Sequence, residues 1–337
     1  MNRRLKSLLQ KQSPPSRTKN EFNPRRRVLS DQKRIPFAQN SYKMRSKCAQ
    51  NTPKIRNKKI MDFYESDSPP ADVASGESLT LEQAIANLHS QDYSLRYYAA
   101  WWVGRFRVKE PIVIEALIAA LQEESEQTRI GDYSLLRNAA RALGKLGDKQ
   151  ALPALICCLE CADYYVREAA AQALEMLGDR DSIPSLMKLL DGGISVAVRV
   201  PGKSHLVQPY DSVIEALGTL QAEESLPLIK PFLEHSVERV QYAAARAMYQ
   251  LTGEAVYGER LVTALNGDNL QLRRSALMDL GAIGYLPGAE AISETLAENS
   301  MKLIALKGVL EHHLNQKESL SLSDEAIHVM DLMDSLL

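Results

Sequence analysis

The stretch from Arg96 to Arg105 contains side chains that are suited to binding a flat, acidic molecule. It reads RYYAAWWVGR and holds both tryptophans of the chain, although aromatic residues make up only 6% of the sequence. A second group of rings beside a guanidinium follows at Tyr164, Tyr165 and Arg167. Aromatic rings stack on planar groups, and guanidinium groups bind carboxylates through paired hydrogen bonds. We therefore expect either a planar ligand with two carboxylates or a protein partner at these rings.

Motifs that mark a catalytic nucleophile or a phosphate site are missing from the sequence. The chain has no GxSxG, no P-loop, no GxGxxG after a strand and no HExxH. Cys158 and Cys161 form a CxxC pair beside Cys157, but a zinc site usually needs a fourth ligand and a second pair. We interpret these cysteines as small buried side chains in a reducing compartment, and we predict neither a metal nor a cofactor. Any chemistry would then depend on positioning.

A helical repeat that begins near Leu79 must position these side chains. Segments such as RNAARALGKLGD and REAAAQALEMLGD have small or apolar residues at i, i+3, i+4 and i+7, then a glycine-containing turn. A proline opens the next helix in most units, as at Pro153 and Pro184. Equivalent apolar positions recur at Val103, Leu143, Leu174, Leu217, Met248 and Leu280. This pattern predicts an all-α, HEAT-like (E/Z-type) helical-repeat solenoid over residues 80–337.

Two repeat units are longer than the others and indicate insertions. These insertions are Gln122–Leu136 and Asp191–Tyr210. Insertions in solenoids tend to collect on one face, which is often the binding face. The alternative is that both are tolerated surface loops.

The repeat register divides the aromatic residues of the first unit into two pairs. Trp101 falls where later repeats have Arg141, Gln172, Glu215 and Arg246, whereas Trp102 falls on alanines. We therefore expect Tyr98 and Trp102 to pack at the start of the stack. Tyr97 and Trp101 should lie on a solvated stripe and bind a ligand or partner.

The first 60 residues differ sharply from the rest of the chain. They carry 18 Lys and Arg against two acidic residues, a net charge of +16, while the other 277 residues sum to −17. The basic composition, the scattered prolines and the lack of an apolar period predict a disordered tail over residues 1–60. Three interpretations remain open: a transit peptide, a basic arm for an acidic surface or nucleic acid, or an upstream extension with Met61 as the working start. Residues 61–79 would form a leader.

Several segments of the repeat region resemble one known family. They include RYYAAWWVGRFR, CADYYVREAAAQALEMLGD, HLVQPYDSVIEALGTLQAEESLPLIKPFLEH and LQLRRSALMDLGAIGYLPGA. Together they are similar to the E subunit of the heterodimeric E/F-type phycocyanin α-subunit bilin lyases, from about Leu79 to Leu337. The resemblance implies a lyase that works with an F-type partner subunit. Such a pair attaches phycocyanobilin, its substrate, through a thioether bond to a cysteine of the α-phycocyanin apoprotein for phycobilisome assembly.

The resemblance implies a reaction, and the repeat register and the insertions indicate which side chains are candidates for its steps. The enzyme must hold a flexible open-chain tetrapyrrole, direct the thiol to the ring-A ethylidene carbon, and supply a proton. Four rings are candidates for the bilin surface, and three arginines for its propionates: Tyr97, Trp101, Tyr164 and Tyr165, with Arg96, Arg137 and Arg167. The candidate proton donors are Asp132, Asp163, Asp211 and His205. A structural alternative is that Arg137 and Arg167 bridge neighbouring repeats.

Other functions are also compatible with the sequence. A non-catalytic HEAT-repeat scaffold or chaperone for phycobiliprotein assembly would use Trp101 and the insertions for docking. Nucleic-acid binding would require the basic tail, so we do not predict a nucleic-acid partner for the repeat region. No apolar run approaches the roughly 18 residues that a membrane span needs. We expect a cytoplasmic cyanobacterial protein, or a protein of the plastid stroma if residues 1–60 are a transit peptide.

Overall fold

The computed structural model describes residues 79–123, 131–315 and 322–337. The predicted tail (1–60), the predicted leader up to residue 78 and residues 124–130 of the first insertion lie outside the described residues. The described part contains fifteen α-helices, which we number in chain order. They are α1 (Leu81–Leu88), α2 (Tyr93–Arg105), α3 (Pro111–Gln122), α4 (Ser134–Leu146), α5 (Leu152–Cys158), α6 (Tyr164–Leu177), α7 (Ile183–Lys188), α8 (Tyr210–Thr219), α9 (Leu226–Ile229), α10 (Glu238–Thr252), α11 (Ala255–Ala264), α12 (Leu270–Ile283), α13 (Ala289–Glu294), α14 (Asn299–Asn315) and α15 (Asp324–Asp334).

Short 3₁₀ turns join many of these helices. Their bounds are Lys149–Ala151, Arg180–Ser182, Gly193–Ser195, Glu223–Ser225, Lys230–Glu234 and Leu286–Gly288. The described residues contain no β-strand, and their one isolated β-bridge joins Arg199 to Leu206.

The long helices form an inner layer and the shorter ones cover it. The inner helices α2, α4, α6, α8, α10, α12 and α14 pack side by side in chain order. Their repeat positions from Val103 to Leu280 are buried, with exposed fractions between 0 and 4%. A single unit cannot bury such a face alone, so the stacking of neighbours creates the core. The prediction of an all-α HEAT-like solenoid is confirmed.

The glycines and prolines that the sequence analysis took as helix stop and start signals lie at the observed ends and beginnings of helices. The αL glycines Gly147 and Gly178 end α4 and α6, with φ values of 69° and 70°. Glycine adopts this backbone conformation without the steric cost that a Cβ imposes. Pro153 and Pro184 lie in the first turns of α5 and α7, where a missing N–H removes no hydrogen bond.

Glycines also set the distance between neighbouring inner helices. A Cβ added to Gly144 would lie 2.6 Å from the Cα of Ala173, and one added to Gly104 would lie 2.9 Å from the Cα of Ala142. The same glycine-on-alanine contact recurs for Gly218 on Ala247 and Gly281 on Ala305. The register thus places a glycine against the alanine of the next helix, and the backbones approach closely.

The second insertion is packed on the solenoid. His235 hydrogen-bonds through Nε2 to the carbonyl oxygen of Ala197 at 2.7 Å, and both residues are buried. Backbone hydrogen bonds from Val200 to His205 and from Val207 to Val198 close a hairpin-like turn. This segment is therefore an ordered extension before α8.

Candidate functional site

One row of side chains occupies equivalent positions on successive inner helices. Its members are Trp101, Arg141, Gln172, Glu215, Arg246 and Met278. The prediction that this row is solvated is wrong at its centre, because Glu215 is only 7% exposed. Neighbouring inner helices are close enough for long side chains to cover one another, so this row is a partly buried surface.

The rings of α2 pair differently from the two pairs that the register predicts. Tyr98 stacks on Trp101 with ring centroids 5.6 Å apart, and Trp102 packs on Phe106 at 4.7 Å. Trp102 contacts the hydrophobic core, as expected, while the predicted packing role of Tyr98 is not observed. On a helix, residues at i and i+3 are neighbours just as residues at i and i+4 are. The register alone therefore did not decide whether Tyr98 contacts Trp101 or Trp102. Trp101 and Tyr97 are half-buried.

Arg96 is paired within the chain. Its guanidinium donates two hydrogen bonds to Glu123 at the end of α3, at 3.1 and 2.5 Å. This hydrogen bonding lowers the pKa of Glu123. A carboxylate of the chain therefore already occupies Arg96, and a propionate would have to displace Glu123 to bind there.

A second cluster, which we call the α6 platform, brings together four predicted residues. The rings of Tyr164 and His205 stack with centroids 4.3 Å apart, and Tyr165 meets both rings edge-on. The Arg137 guanidinium carbon lies 5.5 Å from the Tyr165 ring centre. The His205 Nδ1 hydrogen-bonds the Leu206 carbonyl oxygen at 2.8 Å, so Nδ1 carries a proton there. The α6 platform thus offers rings, a guanidinium and an imidazole on one surface.

Arg167 lies beside the α6 platform, but its donors are used within the chain. It donates to the Gln208 side chain and to the carbonyl oxygens of Val207, Cys161 and Ala162, at distances between 2.7 and 3.1 Å. Burial lowers the pKa of Arg167. These bonds tie the second insertion to α6. The geometry favours the structural alternative of the sequence analysis over propionate binding for this arginine.

The candidate proton donors do not form one group. Asp163 caps α6 by accepting from the Val166 N–H at 3.0 Å, and its carboxylate lies 3.8 Å from Arg137 Nε. Asp132 accepts from the backbone and the hydroxyl of Ser134 at the start of α4. Asp211 pairs with Arg239 at 3.4 Å. Only Asp163 and His205 belong to the neighbourhood of the α6 platform.

Sequence reasoning missed a charged cluster between α6, α8, α10 and α12. Its members are Glu175, Asp211, Glu215, Arg239, Arg246 and Asp279. The repeat register contained a signal for it, because Glu175 stands where other inner helices have the contact glycine. Asp279 likewise replaces the contact alanine. Charged side chains at such positions indicate a buried ionic network.

The charged cluster borders a cavity of about 380 Å³. Besides cluster residues, Gln271, Arg274, Ser275, Met278 and Met301 line it. Burial raises the pKa of Glu215 to about 8 and also raises the pKa of Asp279. Carboxyl groups with raised pKa values beside a cavity are a common feature of functional sites.

Within 79–123, 131–315 and 322–337, no group of three or more His, Cys, Asp or Glu side chains is placed to hold a metal ion. In the same ranges no helix is long and apolar enough to cross a membrane. Burial raises the pKa of the Cys158 thiol to about 12, so that thiol stays protonated.

Two family models match parts of the chain. The model of PBS lyase HEAT-like repeats matches residues 95–123, which include most of α2 and all of α3. The model of HEAT repeats matches residues 130–198. Both agree with the observed fold.

Several known proteins match this chain over nearly their whole length. The chain is 64% identical over 264 residues to a phycocyanobilin lyase subunit alpha of Nostoc sp. strain PCC 7120. This alignment covers 78% of this chain and 96% of the relative. It is 60% identical to the protein of the same name in Synechocystis sp. strain PCC 6803, over 77% of this chain and 96% of that one. A bilin biosynthesis protein PecE from the same Nostoc strain is 45% identical, over 70% of this chain and 88% of its own length.

A solved structure has the same fold. It is that of the complex of CpcE and CpcF of phycocyanin lyase from Nostoc sp. PCC7120, and the matched chain is 61% identical with a TM-score of 0.73. The match covers 83% of this chain and all of the other. From this fold, and from identities above 60% over nearly the full length of relatives, we conclude that the chain belongs to the family of phycocyanobilin lyase alpha subunits.

Proposed function

We propose that this chain is the alpha-type subunit of a heterodimeric bilin lyase. With an F-type partner it attaches phycocyanobilin through a thioether bond to a cysteine of the phycocyanin α subunit. The observation that carries this proposal is the 64% identity that extends over 96% of a phycocyanobilin lyase subunit alpha. The match to a chain of the CpcE–CpcF complex supports the heterodimer.

The reaction adds a thiol across a carbon–carbon double bond. The sulfur of the substrate cysteine bonds to the ethylidene carbon of ring A, and a proton reaches the neighbouring ring carbon, so the S–H bond is consumed. The nucleophile belongs to the substrate protein. The lyase therefore has to hold the bilin and the apoprotein in one geometry and to manage the proton.

The α6 platform fits the first of these tasks. Tyr164, Tyr165 and His205 present rings at two orientations, which suits a tetrapyrrole whose rings are not coplanar. Arg137 lies over the Tyr165 ring and binds a propionate in this proposal. On α2, Trp101 and Tyr97 contact the far end of the bilin in this proposal.

Reconstitution tests the function directly. The purified chain, an F-type subunit, phycocyanobilin and α-apophycocyanin should yield an adduct that stays covalent in acid urea. Omitting either lyase subunit is the control for spontaneous attachment. If no F-type partner supports adduct formation, the proposal fails.

The Trp101→Ala variant separates an enzyme from a scaffold. A lyase surface predicts that the variant still forms the heterodimer and attaches bilin slowly. A non-catalytic scaffold that docks through Trp101 predicts a lost complex and normal attachment when the bilin is in excess. Heterodimer formation and adduct yield are measured on the same samples.

The compartment belongs to the proposal as well. Cyanobacterial relatives favour a cytoplasmic protein. The intact mass of the native protein tests this assignment, because cleavage within residues 1–60 would favour a plastid stroma. A mass that begins at Met61 would leave the basic tail out of the working protein.

A further inference from the structure

The charged cluster contains more carboxyl groups than guanidinium groups. Arg246 binds Glu175 at 2.7 Å and lies 3.5 Å from both Glu215 and Asp279. Arg239 binds Glu215 at 3.0 Å and Asp211 at 3.4 Å.

The four acids thus face two arginines. Another cationic group on the cavity wall, Arg274, is paired with Glu298. Full ionisation would therefore leave two uncompensated negative charges in a largely buried place.

Hydrogen bonding leaves part of this cluster unsatisfied. Asp279 is 3% exposed and lines the cavity, yet its Oδ2 has no hydrogen-bond partner in the described part of the chain. The Nε of Arg246 is likewise buried without a partner. An unpaired buried carboxylate oxygen is costly unless it is protonated or receives a hydrogen bond from a ligand. The cavity beside Asp279 is where such a ligand would bind.

Neutralisation by protons is the simplest way to balance the charge. Glu215 and Asp279 are the most buried acids of the cluster, and both approach Arg246. Burial disfavours their charged forms, in agreement with the raised pKa values of both carboxyl groups. The more exposed acids, Asp211 and Glu175, contact Arg239 and Arg246 at the edge of the cluster.

We propose that Glu215 and Asp279 each hold a proton at neutral pH, and that Glu215 donates its proton to the bilin during attachment. This inference rests on the proposed lyase function. As the cysteine sulfur bonds to the ethylidene carbon, the electron pair of the double bond takes the proton of Glu215 at the neighbouring ring carbon. The thiol proton returns to the carboxylate through solvent, so atoms and charges balance. Asp279 keeps its own proton and so adds no second negative charge, and Arg246, which lies 3.5 Å from both groups, compensates the transient Glu215 carboxylate.

Position supports this role. The cavity wall includes Glu215, Arg246 and Met278 of the row that begins at Trp101. The helix α6 carries both Tyr165 of the platform and the cluster acid Glu175. Neighbouring helix axes are about 8–10 Å apart, so a bilin on the α6 platform reaches α8 and α10. Met278 and Met301 give the cavity an apolar wall for a pyrrole ring.

The central experiment is a pH profile of single-turnover attachment by the heterodimer. The wild-type rate should fall as pH rises above about 8, because the donor loses its proton there. Glu215→Gln should lower the rate by about 10²- to 10⁴-fold and remove this descending limb. Glu215→Asp should restore part of the rate. Glu224→Gln, at an exposed acid before α9, is the matched control and should behave as the wild type.

Two further measurements separate chemistry from folding. Far-UV circular dichroism and heterodimer formation show whether Glu215→Gln is folded, and Asp279→Asn provides a second variant if it is not. Infrared difference spectra at pH 7 should show protonated carboxyl groups in the wild-type chain alone, and Glu215→Gln and Asp279→Asn should each remove part of this signal. This spectroscopic readout needs no lyase activity.

Each outcome decides the proposal. A wild-type pair that makes no adduct overturns the lyase function and this inference together. An active wild type whose folded Glu215→Gln variant keeps both its rate and its descending limb overturns the proton donor alone. The absence of the infrared signal overturns the two protonated carboxyl groups, whatever the rates are.

Discussion

The Tyr164 ring of α6 stacks on the His205 imidazole of the second insertion, with centroids 4.3 Å apart and planes inclined by 17°. The two residues are far apart in sequence, and the stack joins a repeat helix to a segment that interrupts the repeat. Arg167 fixes the same junction through Val207 and Gln208. The second insertion is therefore part of the α6 platform.

Replacing His205 should weaken bilin binding. In the proposed site His205 presents one ring to the bilin, and such a contact is worth about 1 kcal/mol, so we expect His205→Ala to raise the dissociation constant for phycocyanobilin about fivefold. Bilin titration followed by absorbance measures this change. Lys203→Ala, at an exposed position in the same turn, is the control and should leave the constant unchanged. Equal affinity for both variants would contradict a role of the stack in binding.

Replacing Arg167 should loosen the second insertion. Arg167→Met keeps the apolar stem but removes four hydrogen bonds, and we expect a loss of about 2–3 kcal/mol in the free energy of unfolding. Hydrogen exchange should accelerate around Val207 more than in α12. Arg199→Met removes only a contact within the turn, to Ser204, and should cost less than about 1 kcal/mol.

The two tryptophans should behave differently on truncation. Trp102→Ala removes a ring packed on the core and should cost about 2–3 kcal/mol of stability. Trp101→Ala loses the stack on Tyr98, about 1 kcal/mol, but should reduce adduct yield more strongly. Urea unfolding and the attachment assay test the two effects separately. Identical losses in both assays for the two variants would contradict this division.

The glycine contacts predict which substitutions the stack cannot accept. Gly144→Ala places a Cβ 2.6 Å from the Cα of Ala173, so the helices α4 and α6 must separate. We expect a cost of about 2–3 kcal/mol in the free energy of unfolding. Gly267→Ala is the control, because its nearest contact is 3.3 Å and its φ is not positive. A destabilisation that is equal for both would contradict the close approach.

Stability should depend on pH through Glu215. The folded chain holds this proton more tightly than the unfolded chain, with a pKa raised from 4.5 to about 8. Between pH 4.5 and about pH 8, folding is therefore accompanied by proton uptake at Glu215. The stability that this proton adds is present at low pH and is lost as the pH rises through about 8. Between pH 5 and pH 8 we expect a loss on the order of 1–3 kcal/mol that Glu215→Gln makes smaller. Urea titrations at the two pH values measure it, and an unchanged slope in the variant would contradict the assignment.

Local pattern determined the fold and much of the site's composition. The repeat is predictable from local sequence alone. Its signals are periodic apolar residues, a glycine after each inner helix and a proline at the start of the next helix. Tyr164, Tyr165 and Arg137 were recognisable as ring and guanidinium candidates because their types stand out from their repeat equivalents. Helix periodicity also predicted correctly that Trp102 packs inward.

Tertiary structure decided which side chains meet. The stack of Tyr164 on His205 requires the second insertion to fold back on α6, which a repeat pattern cannot state because the insertion lies outside the repeat. The partners of Arg96 and Arg167 are likewise set by neighbouring elements. Glu215 on α8 stands in a row of polar residues and looks ordinary in the sequence, while the register marks Asp279 on α12 only as a charge at a contact position. Only the stacking of α8, α10 and α12 removes both from water beside the same arginine, Arg246, and burial is what makes them hold a proton.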